Sequence, residues 1–303
     1  MDDMRSICIT AVDDLAGFCI AQHLHSQEKF RQKFLLLSGL ALRTSSAEAQ
    51  QLQHDGVRVY QHVPGDGRRL VNDLTVMGCD TICVVPPVHE DKLDLTLELV
   101  TAAKTAGVRN LLLISSVGAE YATKEKQPRM REFLEMETAV LSEIGQFGLN
   151  HSPCVIRAAL CIDHLLQCII HARNDGFLTL PLGLRHNKFA PVALPSVASL
   201  AAHVLTGRGE HGFDDRHFRQ MMAVTGPSLF SGEDLAATVT SGSTRECVYQ
   251  EISEAAAKRL FNFQSRIKQC EMDYILEYFS LVREGKLNYI ATTASHYVTS
   301  QPD

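Results

Sequence analysis

Residues 7–25 read ICITAVDDLAGFCIAQHLH. An apolar run, Ile7–Val12, passes through a short turn into Leu15–Ser26, which has the composition of a helix. A strand feeding a helix N-terminus is a ready anion site, because the first amides of a helix have no intrahelical partner. A phosphate-binding turn usually carries several glycines so that the backbone can approach the phosphate. This turn has only Gly17, preceded by two acids, Asp13 and Asp14. Either acid is suited to cap the helix and satisfy those amides itself.

A second place for chemistry is Asp163-His164, set in the apolar run Ala159–Arg173. A charged group on an apolar helix must be paired or must face a cavity. Neighbouring helical residues diverge by about 100°, so these two cannot both face one spot. The remaining histidines show no HExxH motif, and no metal site is expected. Nine scattered cysteines without a CxxC pair read as small buried hydrophobes in a reducing compartment. Leu160, Cys161, Leu165, Phe177, Leu180, Leu182 and Phe189 could wall an apolar cleft for a hydrophobic small molecule. Residues of this kind belong to the core more often than to a pocket.

These residues need a frame. Strand-like runs at Ile7–Val12, Phe34–Leu42, Val57–His62, Thr81–Val85, Leu111–Ser115 and Cys154–Arg157 alternate with helical stretches of about 10–16 residues. Such alternation predicts βαβ units and a doubly wound parallel sheet of Rossmann type, an α/β fold. Its ligands bind beyond the carboxyl ends of the strands, which gathers the loops after Val12, Leu42, Val85 and Ser115 around one cleft. The second half is less regular, with a helix over Ala159–Arg173, a short strand at Phe189–Leu194, a last helix at Ser265–Glu284 and a polar tail.

Composition narrows the function. The 303 residues are 45% hydrophobic and 21% charged, with 29 Lys and Arg against 35 Asp and Glu. A mildly acidic chain without a basic run is poorly suited to a phosphate backbone, so no direct nucleic-acid partner is expected. There is neither an 18-residue apolar stretch nor a signal-like N-terminus, so the expected location is cytoplasmic and no membrane partner is expected.

The stretch CDTICVVPPVHEDKLDLTLELVTAAKTAGVRNLLLISSVGAE, residues 79–120, resembles the NmrA-like branch of the atypical short-chain dehydrogenase/reductase superfamily. PCVIRAALCIDHLL (153–166), FAPVALPSVASLAAHVL (189–205) and the segment from 222 to 253 extend the resemblance over nearly the whole chain. It implies a Rossmann domain for NADP(H) closed by a small C-terminal α+β substrate domain, divided as 1–157 with returning segments at about 187–225 for the Rossmann part, and 158–186 plus 226–303 for the smaller substrate or lid part. The implied phosphate pattern, GxxGxxG, falls on Ala11, Asp14 and Gly17, so only the packing glycine is kept. A carboxylate about 4 Å from a phosphate costs about 1 kcal/mol in water and more in a cleft. Weak or absent NADP(H) binding is therefore expected. Arg43, after the second strand, stands where relatives keep a base for the 2′-phosphate, and Pro86 belongs to the Pro-Pro turn.

The resemblance also implies Ser115 as the site serine and Tyr121 as the tyrosine of a YxxxK motif. The lysine is missing, since Glu125 stands in its place. The alternative family lysine, in a KxxxE pattern, falls on Phe133. Other cleft candidates are Asp163, His164 and His186, with Leu160, Phe133 and Phe177 against substrate. Two losses favour a biosynthetic tailoring enzyme, an isomerase, cyclase or reductase acting on a hydrophobic metabolite. The alternatives are a redox-responsive regulator with a protein partner, and an NADPH-dependent reductase.

Overall fold

The computed structural model describes residues 4–145, 152–210, 212–243, 245–264 and 268–291. His211, the expected start of the last helix at 265–267 and the polar tail from residue 292 lie outside the described residues. Among the described residues there are nine strands: β1 (Arg5–Ile9), β2 (Phe34–Ala41), β3 (Arg58–Gln61), β4 (Thr81–Val84), β5 (Asn110–Ser116), β6 (Ser152–Ala158), β7 (Phe177–Leu180), β8 (Met221–Val224) and β9 (Val248–Glu251). The helices are α1 (Leu15–Ser26), α2 (Glu28–Arg31), α3 (Ala47–His54), α4 (Gly67–Val76), α5 (Lys92–Thr105), α6 (Pro128–Gly145), α7 (Leu166–Asp175), α8 (Leu194–Thr206), α9 (Gly232–Ser241), α10 (Glu254–Gln264) and α11 (Gln269–Arg283).

Seven strands pair in parallel in the order β3-β2-β1-β4-β5-β6-β8. The expected Rossmann-like α/β sheet is therefore present. All of β4 and β5 is buried, as it must be in strands covered on both faces. One core cluster joins α1, α3 and α8 to one face, and a second joins α4, α5 and α6 to the other. Strand order reverses between β1 and β4, which opens a crevice at their carboxyl ends.

Local signals set several boundaries. Ser46 accepts a hydrogen bond from the Ala49 amide at the start of α3 (3.1 Å). Ser231 and Asp234 form the capping box of α9. After α5, Gly107 takes the left-handed conformation (φ 74°) that ends a helix cheaply.

The C-terminal α+β part contains the parallel pair β7–β9 with α7, α9 and α10, and α11 packs against α6. Two expectations change here. The helix expected over Ala159–Arg173 is a 3-10 turn, Ile162–Leu165, followed by α7. The strand expected at Phe189–Leu194 makes only isolated bridges, Phe189 with Phe230 and Val192 with Cys161. All nine cysteines are free. Among the described residues no helix is long and apolar enough to cross a membrane.

Candidate functional site

The turn after β1 keeps the shape of a phosphate turn with unusual residues. Ala11 adopts φ 49°, a left-handed conformation that favours glycine. A Cβ on Gly17 would lie 2.3 Å from the Ala11 carbonyl oxygen and 2.5 Å from that of Thr10. Glycine is therefore required where α1 crosses the end of β1.

The expectation that Asp13 or Asp14 caps α1 is overturned. Asp14 occupies the cap position, yet no side chain caps the helix. Its carboxylate instead accepts a hydrogen bond from the Val88 amide (2.7 Å), and Lys268 Nζ lies 3.6 Å from its other oxygen. Asp13 is buried and accepts hydrogen bonds from the amides of Leu42 and Arg43 (3.1 and 3.0 Å), tying the end of β2 to the turn. The acids brace neighbouring loops, and among the described residues no side-chain cap reaches the leading amides of α1. Burial raises the pKa of Asp14, against the opposing pull of the Val88 amide and Lys268.

A cavity of about 310 Å³ opens here, at the carboxyl ends of β1, β4, β5 and β6. Asp14, Pro86, Ser115, Phe133 and His164 line it, as the sequence reading had them around one cleft. Ser115 is nevertheless engaged. Its hydroxyl donates to Glu137 (2.5 Å), a buried acid held by Arg157 through contacts of 2.8 and 2.6 Å. Glu137 is the acid four residues after Phe133, so the acid of the expected KxxxE spacing braces β5 and β6 from within. Ser116, the next residue, shares a 3.0 Å hydrogen bond with the hydroxyl of Tyr274.

Several expected site residues lie elsewhere. Tyr121 is exposed beyond β5, its ring 5.8 Å from Lys286 Nζ. Asp163 is outside the cavity lining, and its Oδ2 has no hydrogen-bond partner. Leu160 is fully buried core, as are Leu165, Leu180, Leu182 and Phe189. Phe177 is 53% exposed on β7, opposite Val248, and His186 is exposed in the following turn. Of the expected apolar wall only Cys161 lines the cavity, where burial pushes its thiol up to about 12. Arg43 lies outside the lining too, its exposed guanidinium 3.5 Å from Asp13 at the end of β2.

The residues missed from sequence come mostly from α11 and its approach: Lys268, Glu271 and Tyr274. Glu271 lies 3.0 Å from His164 Nδ1, pairing the site histidine with a carboxylate. Burial holds the Tyr274 phenol well above its ordinary pKa, so it is a neutral hydrogen-bonding wall. Lys92, at the start of α5, also reaches the cavity. It is buried, donates to the Arg129 carbonyl (2.9 Å) and pairs with Glu132 (3.2 Å). Burial lowers its pKa, with Glu132 opposing.

Comparison with solved structures puts this geometry in context. Citrobacter sp. triphenylmethane reductase complexed with NADP(H) superposes with a TM-score of 0.78 at 18% identity, covering 98% of this chain and 96% of that one. The Escherichia coli NADPH-dependent quinone oxidoreductase complexed with NADPH gives 0.71 at 20% identity, over 97% and 98%. The chain shares their fold. The expected resemblance to the NmrA-like branch is thus borne out as a shared Rossmann architecture. Among curated proteins, an NAD(P)H azoreductase of Xenophilus azovorans is 27% identical over 220 residues, 72% of this chain and 70% of that protein. No family model matches the chain.

Proposed function

We propose that the protein is an NADPH-dependent reductase of hydrophobic, conjugated electron acceptors. The observation that carries this is the uncapped N-terminus of α1, with Asp14 turned onto Val88, opening into the cavity walled by Phe133, His164 and Tyr274. Sequence alone favours a tailoring isomerase or cyclase with weak NADP(H) binding. Asp14 is turned onto Val88 and paired with Lys268, so the helix end is left to a phosphate and the acid is partly neutralised, which favours the reductase alternative. Support also comes from relatives described as acting on azo compounds, triphenylmethane dyes and quinones with NAD(P)H.

The turn from Ala11 to Gly17 would hold the pyrophosphate against the first amides of α1. Arg43 would meet a 2′-phosphate, and Pro86, with Ser116 beyond it, would border the nicotinamide. When bound, the dinucleotide supplies the hydride. The chain then has to bind a flat acceptor, exclude water and deliver a proton. Phe133, Cys161 and Tyr274 give apolar and aromatic walls for the acceptor. His164 is the group to move the proton. Its Nδ1 faces Glu271, so the doubly protonated ring would donate Nδ1–H to that carboxylate and pass the Nε2 proton to the acceptor, leaving the neutral Nδ1–H imidazole.

The test is NADPH binding by calorimetry, followed by consumption of its absorbance with a quinone, an azo dye or a triphenylmethane dye. Binding with turnover of at least one acceptor is expected. No binding at millimolar NADPH and no turnover would sink the reading.

A further inference from the structure

Asp14 and Lys268 face each other at the end of the cavity nearest α1, and both are tied to one peptide. The Val88 amide donates to Asp14 (2.7 Å), while the Val88 carbonyl accepts from Lys268 Nζ (2.8 Å). The third side of the triangle is the 3.6 Å ion pair between the two side chains. Lys268 stands just before α11, so a residue from the C-terminal part of the chain reaches over the phosphate turn. Its side chain is 44% exposed, whereas that of Asp14 is 11% exposed. The cation is therefore the partner that can move.

We propose that Lys268 is a pyrophosphate-binding residue, held over the turn by Asp14 until the phosphates arrive and exchange for it. The proposal rests on the reading above that the chain binds NADPH. A carboxylate accepting from a loop amide and paired with an ammonium has the charge and hydrogen-bonding pattern of a phosphate oxygen. Towards Lys268 and the Val88 amide, Asp14 plays the part of a phosphate oxygen. The substitution that removes the second glycine thus comes with a cation that compensates it. A pyrophosphate brings more negative charge than one carboxylate, so it outcompetes Asp14 for Lys268. The uncapped amides of α1 add donors that Asp14 does not use. Arg43, on the other side of Asp13, remains available at the adenosine end.

The test measures NADPH dissociation constants by calorimetry for the full chain and for Lys268→Met, Lys268→Arg, Asp14→Asn and the Asp14→Asn/Lys268→Met double variant. Inorganic pyrophosphate serves as a competing probe, and circular dichroism checks that each variant folds. Lys268→Met should weaken NADPH binding about tenfold or more, the size of one charge-assisted contact, and flatten its salt dependence. Lys268→Arg should restore most of it. Asp14→Asn should tighten binding of both NADPH and pyrophosphate, and the double variant should lose that gain. NADPH binding that is unchanged or tighter in Lys268→Met overturns this inference while leaving the reductase reading intact. No NADPH binding by the unaltered chain overturns both.

Discussion

The ammonium of Lys92 lies 3.9 Å from the centre of the Phe133 ring. The two come from different helices, α5 and α6, and the Tyr274 ring closes in at 5.9 Å. The position where the family resemblance calls for a lysine is aromatic in this chain, and a lysine from another helix rests on its face. Cation–aromatic contacts of a desolvated lysine contribute about 2 kcal/mol. Phe133→Leu should therefore lower stability by about 1–2 kcal/mol. Lys92→Met should cost a similar amount by leaving Glu132 short of a partner. Urea unfolding of both variants and their double mutant measures the coupling.

Ser115 sits where a reductase serine would act, yet it is spent on Glu137. Ser115→Ala should cost about 1–2 kcal/mol of stability, the value of a buried hydrogen bond to a charged group. Turnover of a quinone with NADPH should stay within about threefold of the unaltered chain, well under the loss expected for a catalytic group. A loss of activity with unchanged stability would return Ser115 to the catalytic set.

The His164–Glu271 pair should show itself in turnover. His164→Gln should lower kcat by about 100-fold with NADPH affinity intact, the usual size of a lost proton donor. Glu271→Gln should lower kcat by a smaller factor, because the imidazole loses the carboxylate 3.0 Å away that orients it. Steady-state kcat and KM for a quinone, with NADPH dissociation constants measured beside them, distinguish this from a packing defect, which would weaken NADPH binding as well.

Glu277 on α11 is buried and accepts a hydrogen bond from the Met130 amide at the start of α6 (2.8 Å). Burial pushes its carboxyl up to about 7. The folded chain therefore holds this proton where the unfolded chain, with a pKa near 4.5, releases it. Stability falls as pH rises from about 4.5 to 7, and the penalty is full above that range. Glu277→Gln should be more stable than the unaltered chain at pH 8, by on the order of 2–3 kcal/mol. The gap should close by pH 5. Thermal melts across that range check the sign.

How much of this was legible in the sequence depends on how local each cause is. Ser46, Ser231 with Asp234, and Gly107 act within a few residues, and the apolar runs of β4 and β5 need only burial on both faces. Those elements were readable. The direction of Asp14 was not, because Val88 and Lys268 decide it from far along the chain. Glu271 and Tyr274 lie on an amphipathic helix whose pattern says that it packs, without saying where. Leu160 and Phe177 failed for a related reason: an apolar side chain carries the same signature in a core, a cavity wall or an exposed strand. His164 was found because an imidazole in an apolar run needs a partner, although the partner itself could not be named.

The edge strand β8 has a consequence for how the molecule is made. Met221–Val224 pairs with Val155–Ala158, and the Val224 carbonyl accepts from the Ala159 amide (2.9 Å) at the cavity floor. During synthesis β6 therefore waits with an open, apolar edge until residues 221–224 have left the ribosome. A fragment ending at residue 157 would keep that edge bare, a ready template for pairing with other chains. The strands before residue 158 thus depend on four residues more than sixty positions later to cover that edge.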